Sequence, residues 1–256
     1  LLRKTEGLVT GTAHGSIVKL PGKDEWYQFY TIVLSNPPGG RRIGMDKVEF
    51  DADGLMYCTV TDTPQPAPGT IAKKDVPASI PVTINKINAM NALSKVSSQQ
   101  NGFPGAFAVD NYSGTVWVPE ITDQTPSITV ELSPATRFDV VQHFTVDGVR
   151  ILFGGTGKRM FGFSRTIPVY KYKLEVSQDG ENYVTVLDKT SNSEAKDTFY
   201  EEFKPINCRF VRLTVNDWPK ENPLGIIDFT VFGYPDGWDA PAVATPVFSN
   251  LPLDKK

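Results

Sequence analysis

The stretch from Phe107 to Pro119 limits the possible folds of this chain most strongly, because it places oxygen-bearing side chains in a tight turn. Four such side chains fall within six residues: Asp110, Asn111, Ser113 and Thr115. Calcium takes about six to eight oxygen ligands, many of them backbone carbonyls, and Gly114 helps the backbone to turn tightly enough to supply them. The stretch therefore predicts a calcium site. A metal-free Asx-turn between two strands is the alternative.

The spacing Val109-Asp-x-x-x-x-Thr-x-Trp117 resembles the Asp-Gly-Asn-x-x-Thr-x-Trp loop of discoidin domains. These are also called coagulation factor 5/8 C-type domains and include the family 32 carbohydrate-binding modules. One departure is Asn111, which stands where the family usually has Gly. The resemblance implies a structural calcium ion held by Asp110, Ser113 and Thr115.

Three further stretches resemble this family in the same order along the chain. They are the strand and turn Tyr172–Tyr183, the Arg-rich strand Cys208–Val215 and the closing strand Gly225–Gly233. In the closing strand, Asp228 replaces the usual Glu, which keeps the carboxylate but shortens it. The resemblance implies that Asp228 is the remote calcium ligand. It also predicts a discoidin-like (galactose-binding-like) β-sandwich over residues 84–235.

The composition excludes several classes of protein. Lys and Arg number 26 against 29 Asp and Glu, and a formal net charge of −3 gives nucleic-acid binding no electrostatic support. No apolar run approaches the length of a membrane span. With 20 Pro and 21 Gly, the chain favours turns and short strands over long helices. Cys58 and Cys208 are interpreted as buried strand thiols without a disulfide between them.

The first 62 residues form a second informative block. Turns rich in Pro and Gly separate four predicted strands, at residues 16–20, 25–34, 42–50 and 55–60. A four-stranded antiparallel unit of this size is typical of one propeller blade. Gly11-Thr-Ala-His-Gly-Ser16, Glu25-Trp-Tyr-Gln-Phe-Tyr30 and the segment 40–54 resemble the last blade of glycoside hydrolase family 43, a five-bladed β-propeller. Thr31 stands in place of the family's His.

This second resemblance implies roles for three residues. His14 would contact a second cation, or its waters, at the propeller axis. Arg41 or Arg42 would reach toward the catalytic carboxylates and support the active site. From the residues alone, His14 is interpreted as a structural histidine at the start of a strand, and the two arginines are interpreted as the solvated tip of a hairpin.

The catalytic carboxyl groups themselves are not predicted to lie in this chain. Glycoside hydrolysis requires two carboxyl groups that flank the scissile bond. In family 43 they come from earlier blades, and no acidic residue between 1 and 62 matches a catalytic position of the family. The chain alone is therefore predicted to be inactive. Because one blade cannot bury both of its faces, it is expected to pack against a missing N-terminal propeller segment of the same protein, or against another partner.

The predicted domain organisation has four parts. Residues 1–62 form the incomplete propeller domain, residues 63–83 a stiff Pro-rich linker, residues 84–235 the sandwich, and residues 236–256 a tail that packs on a domain surface. Within the sandwich, Ser127–Leu132 alternates apolar and polar residues as a half-buried strand does. Phe138–Phe153 is expected to supply a further strand pair, most clearly at Val149–Phe153.

Two loops carry the side chains that sugar recognition needs, namely aromatic rings for stacking and planar polar groups for hydrogen bonds. The first loop, 154–165, contains Phe161, Phe163 and Arg165. The second loop, 216–222, contains Asn216, Asp217 and Trp218. A tryptophan that only caps the end of the sandwich is the alternative for the second loop.

The sequence as a whole predicts an all-β chain, a terminal propeller blade followed by a discoidin-like sandwich. The predicted function is the C-terminal portion of a secreted glycoside hydrolase that acts on arabinose- or xylose-containing glycans, with the sandwich as a carbohydrate-binding or scaffold module. The partner is then a polysaccharide or oligosaccharide, and the location is extracellular, cell-surface or periplasmic. Leu1–Glu6 matches no signal peptide, so the chain is expected to be a processed piece of a longer protein. The competing hypothesis is a non-catalytic adhesion module that binds glycan or protein.

Overall fold

A computed structural model describes residues 2–3, 9–34, 40–62, 68, 71–73, 80–81, 94–132, 143–154, 168–221, 223–236 and 245–247. These residues are all-β, as predicted, with one short 3₁₀-helix at Gly105–Ala108. The strands in chain order are β1 (Leu2–Arg3), β2 (Thr10–Lys19), β3 (Trp26–Leu34), β4 (Gly40–Phe50), β5 (Met56–Thr59), β6 (Ile71–Lys73), β7 (Ile80–Pro81), β8 (Ser94–Val96), β9 (Ser127–Glu131), β10 (Phe144–Phe153), β11 (Lys171–Ser177), β12 (Val184–Asp188), β13 (Thr198–Cys208), β14 (Phe210–Asp217), β15 (Ile226–Pro235) and β16 (Thr245–Val247).

The first sheet has the order β1-β5-β4-β3-β2. Strands β2 to β5 form an antiparallel meander, which confirms the four strands predicted from the sequence. The short strand β1, which the sequence did not reveal, pairs with β5 in parallel. A two-residue strand carries too little hydrophobic pattern to be recognised before its partner is known.

The two faces of this first sheet differ sharply in exposure. One face buries Gln28, Tyr30, Asp46, Val48 and Cys58, each less than 5% exposed. Within it, Asp46 accepts hydrogen bonds from the hydroxyl groups of Tyr30 and Thr61. The opposite face leaves large apolar side chains in solvent: Val18 at 48% exposure, Val33 at 38%, Ile43 at 82% and Tyr57 at 42%. Because side chains alternate along a strand, the register places these four residues on the same exposed face, which also carries the charged side chains of Lys47 and Glu49.

The second unit is a sandwich of two sheets. One sheet has the order β13-β10-β15-β7 and the other has the order β12-β11-β14-β9-β8. Every second residue of β14 is fully buried (Val211, Leu213 and Val215), which is the pattern of a strand with one face on a core. The predicted strands at 127–132 and 149–153 are confirmed as β9 and the end of β10, whereas residues 138–142 lie outside the described part of the chain.

An aromatic cluster fills one end of the sandwich core. The rings of Phe153 and Tyr170 stack with their centroids 4.0 Å apart, and Phe199 meets Phe153 edge-on at 5.7 Å. Tyr172 is fully buried beside them and donates a hydrogen bond to Glu201. Since Phe153 ends β10 and Tyr170 immediately precedes β11, the cluster joins the two sheets where the loop between these strands departs.

Parts of the predicted linker and tail form strands. β7 (Ile80–Pro81) pairs with β15 at the edge of the sandwich. β16, from the tail, pairs with β6, from the linker segment. The segment at 84–93 lies outside the described residues. Cys58 and Cys208 are both buried and free, as predicted.

Two polar contacts join the first sheet to the sandwich. One Arg42 amino group donates to both carboxylate oxygens of Asp197 at 2.8 Å. Arg150, in β10, donates to the backbone carbonyl of Asp62, just after the first sheet. Neither arginine is fully exposed, so solvent screens these contacts less than a typical surface pair.

Arg150 also neutralises the most deeply buried carboxylate of the sandwich. Its Nε atom lies 3.0 Å from Asp228, which is 1% exposed, and the Thr230 hydroxyl group donates to the same carboxylate. Burial raises the pKa of Asp228, and the Arg150 charge and these hydrogen bonds oppose that rise. The pair thus holds a charge in a place where an isolated carboxylate would be strongly unfavourable.

Replacing Arg150 by methionine should leave Asp228 buried without its counter-charge and destabilise the sandwich by about 3–5 kcal/mol. In this variant the pKa of Asp228 is raised further in the folded state, because the Arg150 charge is gone. The folded protein therefore binds a proton more readily than the unfolded chain. The loss should therefore be smaller at about pH 5 than at about pH 8. Urea unfolding at both pH values, monitored by circular dichroism, gives the free energy of unfolding of the variant and of the wild type.

Arg41→Met is the matched control, because Arg41 is exposed, and a change within about 0.5 kcal/mol is expected for it. The double variant Arg150→Met/Asp228→Asn should regain part of the lost stability. Unchanged stability of Arg150→Met at both pH values would show that the pair contributes nothing.

Candidate functional site

Both predicted sugar loops leave the sandwich at the same end. β10 finishes at Phe153 and β14 finishes at Asp217, directly opposite Lys171, where β11 begins. Gly154 donates its N–H group to the Gly225 carbonyl oxygen at 2.9 Å, so the start of the first loop touches the residue that immediately precedes β15. A methyl group on Gly225 would lie only 1.9 Å from the Gly154 oxygen, which explains why glycine stands there.

Of the aromatic residues predicted in these two loops, Trp218 lies in the described part of the chain. Its backbone N–H group donates to the Asp217 carboxylate at 3.0 Å, and its half-buried ring packs against the sandwich core. Asn216 is exposed beside it. The ring therefore packs against the end of the sandwich and remains partly open to solvent.

Two lysines that the sequence analysis did not single out complete the surroundings of Trp218. The Lys220 ammonium group lies 3.0 Å from the centroid of the Trp218 ring. Lys171, across the sheet, lies 3.3 Å from the Asp217 carboxylate. Lys220 could have been predicted to lie near Trp218, because it follows the tryptophan by only two residues. Lys171 is distant in sequence, and only the pairing of β11 with β14 places it beside Asp217. Phe161, Phe163 and Arg165 lie outside the described residues.

The predicted calcium loop is held by its own side chains. One oxygen of Asp110 accepts the Tyr112 N–H group at 2.9 Å, and the other accepts the Thr115 hydroxyl group at 2.7 Å. Asn111 has a φ of +56°, a left-handed conformation that glycine adopts more easily and asparagine tolerates. This explains how Asn111 replaces the family's Gly without changing the turn. Trp117 then pairs with Ile226 and anchors the loop on β15.

Electrostatics connect this loop to β15. Burial raises the pKa of Asp110, and the charge of Asp228 adds to the rise, while hydrogen bonds from Thr115 and Tyr112 oppose it. The two carboxylates are therefore close enough to repel each other. A cation between them would remove that repulsion.

Some of the oxygen atoms predicted as calcium ligands are available to bind an ion, and others already have partners. Ser113 is fully buried, and its hydroxyl oxygen has no hydrogen-bond partner among the described residues, which leaves it available as a ligand. Asp228, in contrast, already pairs with Arg150. No group of three or more His, Cys, Asp and Glu side chains that could hold a metal occurs in the part of the chain that the structure describes. Most ligands of a calcium ion here would therefore be hydroxyl and backbone carbonyl oxygens, as this ion accepts.

His14, predicted for the propeller axis, and Arg41 and Arg42, predicted to support the active site, lie at separate places in the first sheet. His14 is exposed in the irregular part of β2 and has a φ of +46°. Arg41 is exposed on β4, and Arg42 binds Asp197 of the sandwich. The sequence resemblance gave no signal of that contact, because Asp197 belongs to the other unit.

Comparison with known protein families identifies a family for the second unit. The model of the F5/8 type C domain family matches residues 92–228, which is more than half of the 256-residue chain. No curated protein matches the sequence. In the part that the structure describes, no helix has the length and apolar character needed to cross a membrane.

Several solved structures have a similar fold. The module CpGH89CBM32-6 produced by Clostridium perfringens is 22% identical, covers 57% of this chain and 97% of its own length, and has a TM-score of 0.42. Chitosan-binding module 1 from the chitosanase/glucanase of Paenibacillus sp. IK-5 is 20% identical, covers 60% of this chain and 99% of its own length, and has a TM-score of 0.45. The family match and the sandwich topology together show that this chain belongs to the F5/8 type C domain family.

Proposed function

We propose that the sandwich is a carbohydrate-binding module whose sugar ligand stacks on Trp218. The observation that carries this proposal is the placement of a partly exposed tryptophan directly after Asn216 and Asp217, at the end of the sandwich from which both predicted sugar loops leave. An indole ring offers a flat apolar surface to the C–H groups of a sugar, and the amide and carboxylate beside it can bind hydroxyl groups. The ligand is a polysaccharide or oligosaccharide.

Trp218→Ala should weaken sugar binding by about tenfold or more, because the stacking surface is removed while the fold remains. The measurement is isothermal titration with arabino- and xylo-oligosaccharides, preceded by a glycan array to select the best ligand. Tyr57→Ala is the control, since it removes an exposed aromatic ring from the first sheet.

A wild-type protein that binds no glycan on the array would contradict the carbohydrate-binding role. The remaining candidate would then be a scaffold role for the sandwich, which the Arg42–Asp197 and Arg150–Asp62 contacts to the first sheet favour. An adhesion module would be indicated by protein binding without any attached hydrolase.

The first sheet is, in this proposal, the closing blade of a family 43-like propeller. The exposed face that carries Val18, Val33, Ile43 and Tyr57 would be covered by the preceding blade. The preceding blades supply the catalytic carboxylates and act on arabinose- or xylose-containing glycans. His14 then faces the propeller axis and its cation. Such a protein is secreted, and it works outside the cell, at the cell surface or in the periplasm.

This chain alone should not hydrolyse aryl arabinosides or xylosides, whereas a longer protein that includes the preceding blades should. Both are assayed by release of the aryl group. Native mass spectrometry tests whether the purified chain is accompanied by a second polypeptide. Turnover by the 28.2 kDa chain by itself would contradict the assignment of the catalytic groups to other blades.

The loop at Asp110 binds, in this proposal, one structural calcium ion. Asp110, Ser113 and Thr115 would hold it together with backbone carbonyl oxygens, and Asp228 would be the remote ligand from β15. The ion would offset the repulsion between the two carboxylates and fix the loop against Trp117. Its role would be structural, because its ligands belong to the loop that Trp117 anchors on β15.

Chelation by EDTA should lower the melting temperature, and calcium should restore it. At a concentration one hundred times the dissociation constant, calcium adds about 3 kcal/mol to the free energy of unfolding. Asp110→Asn should abolish the calcium-dependent change, while Asp53→Asn, at an exposed turn of the first sheet, should retain it. Equal melting temperatures of the wild type in EDTA and in calcium would contradict the site.

A further inference from the structure

The ammonium group of Lys220 covers one face of the Trp218 ring. The Lys220 ammonium group lies 3.0 Å from the ring centroid, well within the range of a cation–π interaction. The Lys220 side chain is 54% exposed, so a ligand from solvent can reach the ammonium group directly. A sugar that stacks on this face must therefore displace or engage Lys220.

The neighbouring carboxylate does not satisfy this ammonium group. Asp217 lies 3.8 Å from Lys220 Nζ, which is longer than a hydrogen bond. Its oxygens instead bind the Trp218 N–H group at 3.0 Å and the Lys171 ammonium group at 3.3 Å. Among the described residues, the recorded contacts of Lys220 are this long ion pair and the aromatic ring.

Neutral and acidic sugars would affect the Lys220 ammonium group in different ways. A neutral sugar that takes the ring face displaces the ammonium group and loses the cation–π contact without replacing it. A sugar with a carboxylate draws the ammonium group into a charge-assisted hydrogen bond, and the vacated ring face then receives the C–H groups of the sugar. Lys220 therefore favours the acidic sugar over the neutral one.

We propose that the Trp218 subsite is selective for a sugar that carries a carboxylate, that is, a uronic acid, and that Lys220 is the residue that determines this selectivity. The proposal rests on the proposed sugar-binding role of Trp218 and names its ligand class. Lys171 supports it by holding Asp217 away from Lys220 and adding a second positive charge nearby. The opposing charges are Asp217 itself and Glu221, the exposed residue that follows Lys220.

The experiment titrates the full chain with trigalacturonate and with galactotriose, two trimers that differ chiefly in their carboxylates. The wild type should bind the acidic trimer more tightly. Lys220→Gln should weaken that binding about fivefold, as expected for a partly exposed charged contact, and should leave galactotriose binding unchanged or improved. Raising the salt concentration should weaken trigalacturonate binding to the wild type more than to Lys220→Gln.

Two controls separate the outcomes. Lys204→Gln removes an equal charge from an exposed position on β13 and should bind trigalacturonate like the wild type, whereas Lys220→Arg should retain most of the selectivity. If galactotriose binds as tightly as trigalacturonate and Trp218→Ala weakens both, the sugar-binding role stands and the acidic selectivity is wrong. If neither trimer nor any arrayed glycan binds, the proposed function itself fails.

Discussion

The buried pair of Arg150 and Asp228 is the interaction on which the arrangement of this chain depends. Asp228 lies on β15, buried on the face of its sheet that points away from the sandwich core, where a carboxylate without a counter-charge would be very unfavourable. Arg150 supplies that charge from β10 and at the same time donates to the carbonyl of Asp62, at the exit of the first sheet. A single guanidinium group thus fixes two strands of the sandwich and the point where the preceding unit is attached.

The two units meet the requirement to bury apolar surface in different ways. The sandwich packs two sheets face to face, and its core strands leave residues such as Leu213 and Ile151 with no exposure. The first sheet covers one face and leaves Ile43 and Tyr57 in solvent on the other. The sandwich therefore encloses a core between its own two sheets, whereas the described strands of the first sheet leave large apolar side chains of one face in solvent.

The strands could be predicted from the sequence because alternation and turn residues are local signals, and they placed β3, β9 and β14 correctly. The turn at Asp110 could be predicted for the same reason, since the six consecutive residues 110–115 define it. The Arg42–Asp197 contact and the position of Lys171 beside Asp217 could not be predicted. Both depend on which strands pair and how two units meet, and no short stretch of sequence contains that information.

The geometry also relates the proposed sugar site to the first sheet. Asp197 immediately precedes β13, whose first residue pairs with Leu152 near the end of β10. Trp218 follows the end of β14, and the stacked rings of Phe153 and Tyr170 bring the ends of these strands together. The Arg42 contact and Trp218 therefore lie at the same end of the sandwich. A glycan held on Trp218 would therefore lie at the end of the sandwich where Arg42 of the first sheet is bound.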